Sequence, residues 1–259
     1  MQRRSMLKLL AIGGTGTWFG LGAKSLHSAI AGEGKLEWGY IGSESPEHWG
    51  DLSSTYRACR AGLQQSPINL QGAIEAQLPN VEINYKPVPL KIFNNGKTIQ
   101  VNTVAGNYIT LDGEQYELLQ FHFHHPSEHM LGGKPYPMEA HFVHQNNREE
   151  LAVLGVFLKE GAENKALMPV WKAMPAQKSP EQSISDSPID IAQVLPTNRK
   201  SFRYFGSLTT PPCSEIVRWI VFENPVELSK AQIEQFRQIF PLNARPIQPL
   251  NQRFLLESS

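Results

Sequence analysis

No stretch of this 259-residue chain gathers basic residues into a block, and its 24 basic side chains are matched by 24 acidic ones. That balance argues against nucleic acid as a partner, since such binding depends on a concentrated cationic surface. Long helices are also disfavoured, because 19 prolines and 20 glycines are scattered along the chain. Beyond the N-terminus there is no apolar run long enough to span a membrane. Internal repeats and linker-like segments are missing too, so the chain reads as one domain with ample core-forming length. Cysteines number only two, Cys59 and Cys213.

The N-terminus is unbalanced where the rest is not. Residues 1–31 hold Arg3, Arg4, Lys8 and Lys24 and no acid, which leaves 20 basic against 24 acidic residues in the remainder. "QRRSMLKLLAIGGTGTWFGLG" begins basic and continues weakly apolar, and "AIA" at Ala29–Ala31 suits a small-residue cleavage site. Its first residues, Gln2 to Lys8, are similar to a twin-arginine export motif. On this reading residues 1–31 are a bacterial export signal and residues 32–259 a mature domain. That domain would reach the periplasm, or another extracytoplasmic space, with no stable membrane span. The other reading is an uncleaved anchor. It fits less well, because Gly13, Gly14, Gly16, Gly20 and Gly22 dilute a run already short for a span. An even cysteine count in an exported chain favours a disulfide, with two free buried thiols as the alternative.

Short β-type runs recur after that point: "VEINY", "LKIFNN", "TIQVNT", "NYITLD", "ELLQFHFHH", "EAHFVHQ", "LAVLGVFL" and "EIVRWIVFE". Several alternate apolar and polar residues, as strands with one buried face do. One helix is predicted near the end, "KAQIEQFRQIF", capped by Ser229 with Gln232 as its capping-box partner. Residues 175–188, "PAQKSPEQSISDSP", read as a polar loop. The expected fold is all-β: one domain with short peripheral helices.

The chemistry concentrates in "LLQFHFHHPSEHM". On a strand, residues two apart share a face. His122 and His124 therefore point one way, and Phe121, Phe123 and His125 the other. If "MEAHFVH" pairs antiparallel with this strand, His141 can face the same spot, while His144 falls on the opposite face and His129 lies beyond the first strand. Three neutral imidazoles converging with a fourth position open to water make a catalytic-type zinc site. Spacing alone leaves a second reading open, in which the histidines are satisfied polar groups of a core. His122-x-His124-xxx-Glu128 also matches the first metal motif of cupins, but "GGKPYPMEAH" before His141 lacks the Gly and Pro positions of their second motif.

Through most of its mature length the sequence resembles the α-class carbonic anhydrases. The resemblance is carried, in family order, by "EWGYIGSESPEHWGDL", "QQSPINL", "FNNGKTIQV", "LLQFHFHHPSEHM", "EAHFVH", "LAVLGVFL", "GSLTTPPCSE" and "NARPIQPL". It implies a large, twisted, mostly antiparallel sheet with zinc at the base of a cone-shaped cleft. It implies His122, His124 and His141 as zinc ligands, one of them binding through the other ring nitrogen. Gln120, Glu139 and a backbone carbonyl near Asn243 would orient them. The implied reaction is reversible hydration of carbon dioxide to bicarbonate and a proton, by attack of zinc-bound hydroxide. Thr209 would accept a hydrogen bond from the hydroxide and donate its own to Glu128, while its backbone N–H holds bicarbonate. Val143, Val153, Leu208 and Trp219 stand at the family's apolar pocket positions, with Thr210 beside them, although core packing alone would also account for the four apolar residues. Cys59 and Cys213 stand where exported members carry a disulfide.

Two positions depart from the family. Its proton-shuttle histidine follows "NNG", and here Asn94-Asn95-Gly96 is followed by Lys97, which outside that role reads as a solvated lysine at the cleft rim. His125 replaces a common aromatic. Some relatives have lost zinc ligands and keep only binding roles. The presence of all three histidines, Glu128 and Thr209 favours an enzyme over such a binding module. The partner implied is a small molecule, carbon dioxide or bicarbonate, acted on by a monomer or dimer.

Overall fold

The computed structural model describes residues 37–259; the export segment expected over residues 1–31 lies outside them. Fifteen strands form among the described residues: β1 Asn69–Leu70, β2 Ile74–Ala76, β3 Glu82–Asn84, β4 Val88–Asn94, β5 Ile99–Asn102, β6 Tyr108–Leu111, β7 Glu114–His124, β8 Met130–Leu131, β9 Lys134–Pro135, β10 Met138–Gln145, β11 Leu151–Glu160, β12 Gln182–Ile189, β13 Ser201–Gly206, β14 Val217–Leu228 and β15 Leu256–Ser258. All eight β-type runs of the sequence lie on strands. Twelve of the strands make one sheet, ordered β12-β4-β5-β7-β10-β11-β14-β13-β15-β2, with β6 also on β7 and β3 on β6. Most pairs are antiparallel. The exceptions are β11–β14 at the centre and β15–β2 at the edge, so the sheet is mixed.

The central strands explain their own composition. In β10 all residues but the last are buried, and in β11 all but the last two. Strands covered on both faces read as continuous apolar runs rather than alternations, as "LAVLGVFL" does. The main core lies on one face of the sheet, where Phe121, Phe123 and Phe142 pack with Leu154, Ile220 and Phe222. The helix Lys230–Ile239 closes over this core through Ile233 and Phe236, and Ser229 and Gln232 make the expected capping box.

Two elements differ from the sequence reading. The polar loop expected over 175–188 becomes strand from Gln182 onward, pairing with β4 at the edge of the sheet. An edge strand needs partners on one side only and tolerates polar side chains and Pro188, while Ile189 still buries. The strand "SFRYFG" (β13), whose Phe202 and Tyr204 alternate inward, was not among the expected runs. No helix among the described residues is long and apolar enough to cross a membrane.

Candidate metal centre

Register places the imidazoles. His141 on β10 stands directly opposite His122 on β7, and Glu139 opposite His124. With strand alternation, His122, His124, Glu139 and His141 therefore share one face. One cross-strand row further along, Val143 pairs with Val153, Val153 with Trp219 and Trp219 with Tyr204. Val143, Val153 and Trp219 thus form a single row of the sheet beside the histidines. Trp219 lies 4.9 Å from the His141 ring, centroid to centroid, and its indole N–H donates to the Ser207 carbonyl at 3.0 Å.

One nitrogen of each imidazole is committed. His122 Nδ1 donates to Gln120 Oε1 at 2.8 Å, His124 Nδ1 to the Asn243 carbonyl at 2.7 Å, and His141 Nε2 to Glu139 Oε1 at 2.8 Å. The remaining nitrogens are Nε2, Nε2 and Nδ1, and one ligand atom from each ring lies within 4.8 Å of the others. Burial lowers the pKa of all three rings, that of His124 to about 4, which leaves them neutral lone-pair donors. His124 Nε2 is buried with no hydrogen-bond partner among the described residues. A buried polar atom so exposed to desolvation cost meets something other than protein. Three neutral imidazoles with oriented rings fit zinc. His122 is only half-buried, so the trio is approached from that side.

Glu139 does more than orient His141. Its Oε1 also receives His129 Nδ1 at 2.7 Å, and its Oε2 accepts the backbone N–H groups of Glu128 and His129 at 2.9 and 2.8 Å. Burial alone would raise its pKa, but His129 and His141 outweigh this and hold the carboxyl well below its ordinary range. His129, which the sequence left without a role, continues to the Tyr204 hydroxyl at 2.6 Å, and this hydroxyl reaches Ser66 Oγ at 2.9 Å. Gly155 makes room for the network: a Cβ there would come within 3.0 Å of Glu139 Oε1 and 3.2 Å of the Val221 side chain.

Glu128 is fully buried, and burial raises its carboxyl to about 7 against the lowering pull of His141, the Arg245 N–H and the Thr209 hydroxyl. Its Oε1 accepts the Arg245 backbone N–H at 2.9 Å; its Oε2 lies 3.5 Å from His124 Nε2 and has no hydrogen-bond partner among the described residues. Thr209 is buried, with Leu208 and Thr210 half-buried beside it. Arg245 was not singled out in the sequence. Its guanidinium donates to Gln65 Oε1, the Ser66 carbonyl and the Cys59 carbonyl.

Cys59 and Cys213 are bonded. Cys213 closes a turn onto the Thr210 carbonyl, so the bridge braces the segment carrying Thr209. Asn243 accepts His124 through its carbonyl and His125 N–H through its side chain. His125 turns away from the trio, with Nδ1 on the Pro241 carbonyl, and His144 is buried against Tyr85 on the other face, as alternation requires. Lys97 is not a freely solvated lysine. It is half-buried, its Nζ donates to the Trp38 carbonyl, and it sits 4.8 Å above the Trp38 ring.

The chain as a whole is similar to known proteins. The family profile of eukaryotic-type carbonic anhydrases matches residues 44–259. A carbonic anhydrase of Nostoc sp. is 46% identical over 263 residues, covering 100% of this chain and 98% of the relative. One from Neisseria gonorrhoeae is 43% identical over 232 residues, covering 89% and 91%. The structure of the α-carbonic anhydrase of Thermovibrio ammonificans, solved with the inhibitor sulfanilamide, superposes with a TM-score of 0.83 at 48% identity, over 86% of this chain and 100% of that one. The chain belongs to the α-carbonic anhydrases, a family of carbonate dehydratases.

Proposed function

We propose that this chain binds one zinc ion through His122 Nε2, His124 Nε2 and His141 Nδ1 and there hydrates carbon dioxide reversibly to bicarbonate and a proton. The observation that carries the reading is the convergence of three uncommitted ring nitrogens, one of them buried without a protein partner, while the opposite nitrogen of each ring is fixed by Gln120, Asn243 or Glu139. When bound, the metal supplies Lewis acidity that brings the pKa of a coordinated water to about 7. Glu128, held by the Arg245 N–H, accepts the Thr209 hydroxyl proton in a hydrogen bond. The Thr209 oxygen is then an acceptor only, and it aims the attacking oxygen at the substrate carbon by orientation. The Thr209 N–H holds the bicarbonate anion. Val143, Val153, Leu208 and Trp219 give apolar carbon dioxide a wall that water wets poorly, and Thr210 lies at its margin.

The product proton must leave, and the position that would carry it holds Lys97, which we read as a brace on Trp38 rather than a shuttle. We further propose that residues 1–31 direct export in folded form to the periplasm. The Cys59–Cys213 bond is consistent with that oxidising space.

The test is metal analysis with stopped-flow carbon dioxide hydration. The mature protein should hold about one zinc per chain, and His141→Ala should lose tight zinc binding and activity together. An active, fully zinc-loaded His141→Ala protein would sink the ligand assignment. A zinc-loaded wild type without hydration activity would instead favour the binding-module reading.

A further inference from the structure

The face of the sheet turned away from the imidazoles carries a second concavity. On β13 the Tyr204 hydroxyl goes to His129, so Arg203 and Phe205, one residue to either side, lie on the opposite face. Their cross-strand partners Ile220 and Arg218, and Leu256 beside Arg203, share that face. With Asp112, Arg253 and Phe254 they line a cavity of about 480 Å³, a size that suits a small organic molecule.

Its chemistry has two parts. Phe205 and Phe254 leave 45% and 72% of their surface in water, an apolar exposure that neither the core nor the metal centre uses. Around them stand three guanidinium groups and one carboxylate, Asp112, whose contact with Arg218 is a long 3.3 Å. Among the described residues Arg203 donates to the Pro79 carbonyl, and its buried Nε has no partner there. Arg253 donates to the carbonyls of Leu250, Phe205 and Pro249 and lies over the Tyr204 ring. Burial lowers the pKa of both arginines below the usual guanidinium value. Partly desolvated guanidiniums that meet mainly neutral carbonyls gain most from a carboxylate, which can take two N–H groups at once.

We propose that this face binds a small organic carboxylate with an apolar body, an aryl- or alkyl-carboxylate, its charged end among the arginines and its hydrocarbon against Phe205, Phe254 and Leu256. An inorganic anion would leave the aromatic surface wet, and a neutral hydrocarbon would leave three guanidiniums against the single lining carboxylate, Asp112. Tyr204 and Trp219, which reach the His129 and His141 side, also border this cavity, but Arg203, Phe205 and Phe254 make no contact with the three imidazoles among the described residues.

Isothermal titration of 4-phenylbutyrate into the metal-loaded mature chain tests this. Saturable binding is expected with Kd below about 1 mM. Arg203→Gln should weaken it about tenfold or more. Phe254→Ala, a change at an exposed position that leaves the core intact, should weaken it about tenfold by loss of aromatic contact. The matched alcohol, 4-phenylbutanol, should bind about tenfold more weakly than the acid. A carboxylate bound at the imidazoles would be indifferent to both substitutions, so unchanged affinity in Arg203→Gln and Phe254→Ala overturns the proposal. So does the absence of saturable binding, or equal affinity for acid and alcohol.

Discussion

Lys97 and Thr209 show how much single side chains decide here. A proton shuttle must accept and release near pH 7. Burial lowers the Lys97 pKa, partly offset by Glu44 and Glu37, yet both of its contacts with Trp38 favour the ammonium form. We therefore expect turnover near neutral pH to be limited by proton transfer and to rise with added imidazole buffer. Lys97→His should raise turnover at low buffer and flatten the buffer dependence, while isotope exchange between carbon dioxide and bicarbonate stays nearly constant. A native enzyme already fast without buffer would show that another group carries the proton. At Thr209 the question is orientation. Thr209→Val keeps the volume and removes the hydroxyl, and kcat should fall about 10²-fold with zinc content unchanged. Loss of zinc in that variant would mean the hydroxyl supports the metal site rather than the reaction.

Strands β7, β10, β11 and β14 act as one device, because register converts sequence spacing into a cluster of three imidazoles and the row of side chains beside it. The parity of His122, His124 and His141 was readable from the sequence, since a period of two is a local property. The pairing of His141 with His122 was not, because it depends on which residues of two strands meet. Gly155 shows what such pairing demands: it faces His141 across the pair β10–β11, where a side chain would press on Glu139. Gly155→Ala should weaken zinc binding about 10–100-fold, as loss of an orienting partner does, measured by competition with a chelator. Unaltered affinity would mean that Glu139 can shift without disturbing His141. The helix Lys230–Ile239 is the opposite case, legible from its ends alone. Ser229→Ala should cost about 1 kcal/mol in urea unfolding by removing the capping box.

At the scale of the molecule, the Cys59–Cys213 bond joins positions 154 residues apart. In the chain-entropy model a loop of that length stabilises by about 5 kcal/mol, with measured effects often smaller. The bond also ties two routes into the site. Cys213 follows the Thr209 segment, and the Cys59 carbonyl receives Arg245, whose own N–H fixes Glu128. Reduction should lower the thermal midpoint and hydration activity in parallel. A fall in stability with full activity retained would show that packing alone holds the Thr209 segment.

The sequence by itself determined what is local. It carried the two-residue alternation of the strands, the capped helix and the family motifs, through which the resemblance named His122, His124, His141, Glu128 and Thr209. What only the tertiary structure decided are the meetings of distant groups: His129 with Glu139 and Tyr204, Arg245 with Glu128 and Cys59, and Lys97 with Trp38. It also turned residues 182–188 of the expected loop into edge strand, because an edge is paired through backbone groups that every sequence possesses. Alternation and capping are properties of neighbouring residues and survive in the linear text. A hydrogen bond between separate strands and loops exists only once the fold has fixed which of them lie side by side.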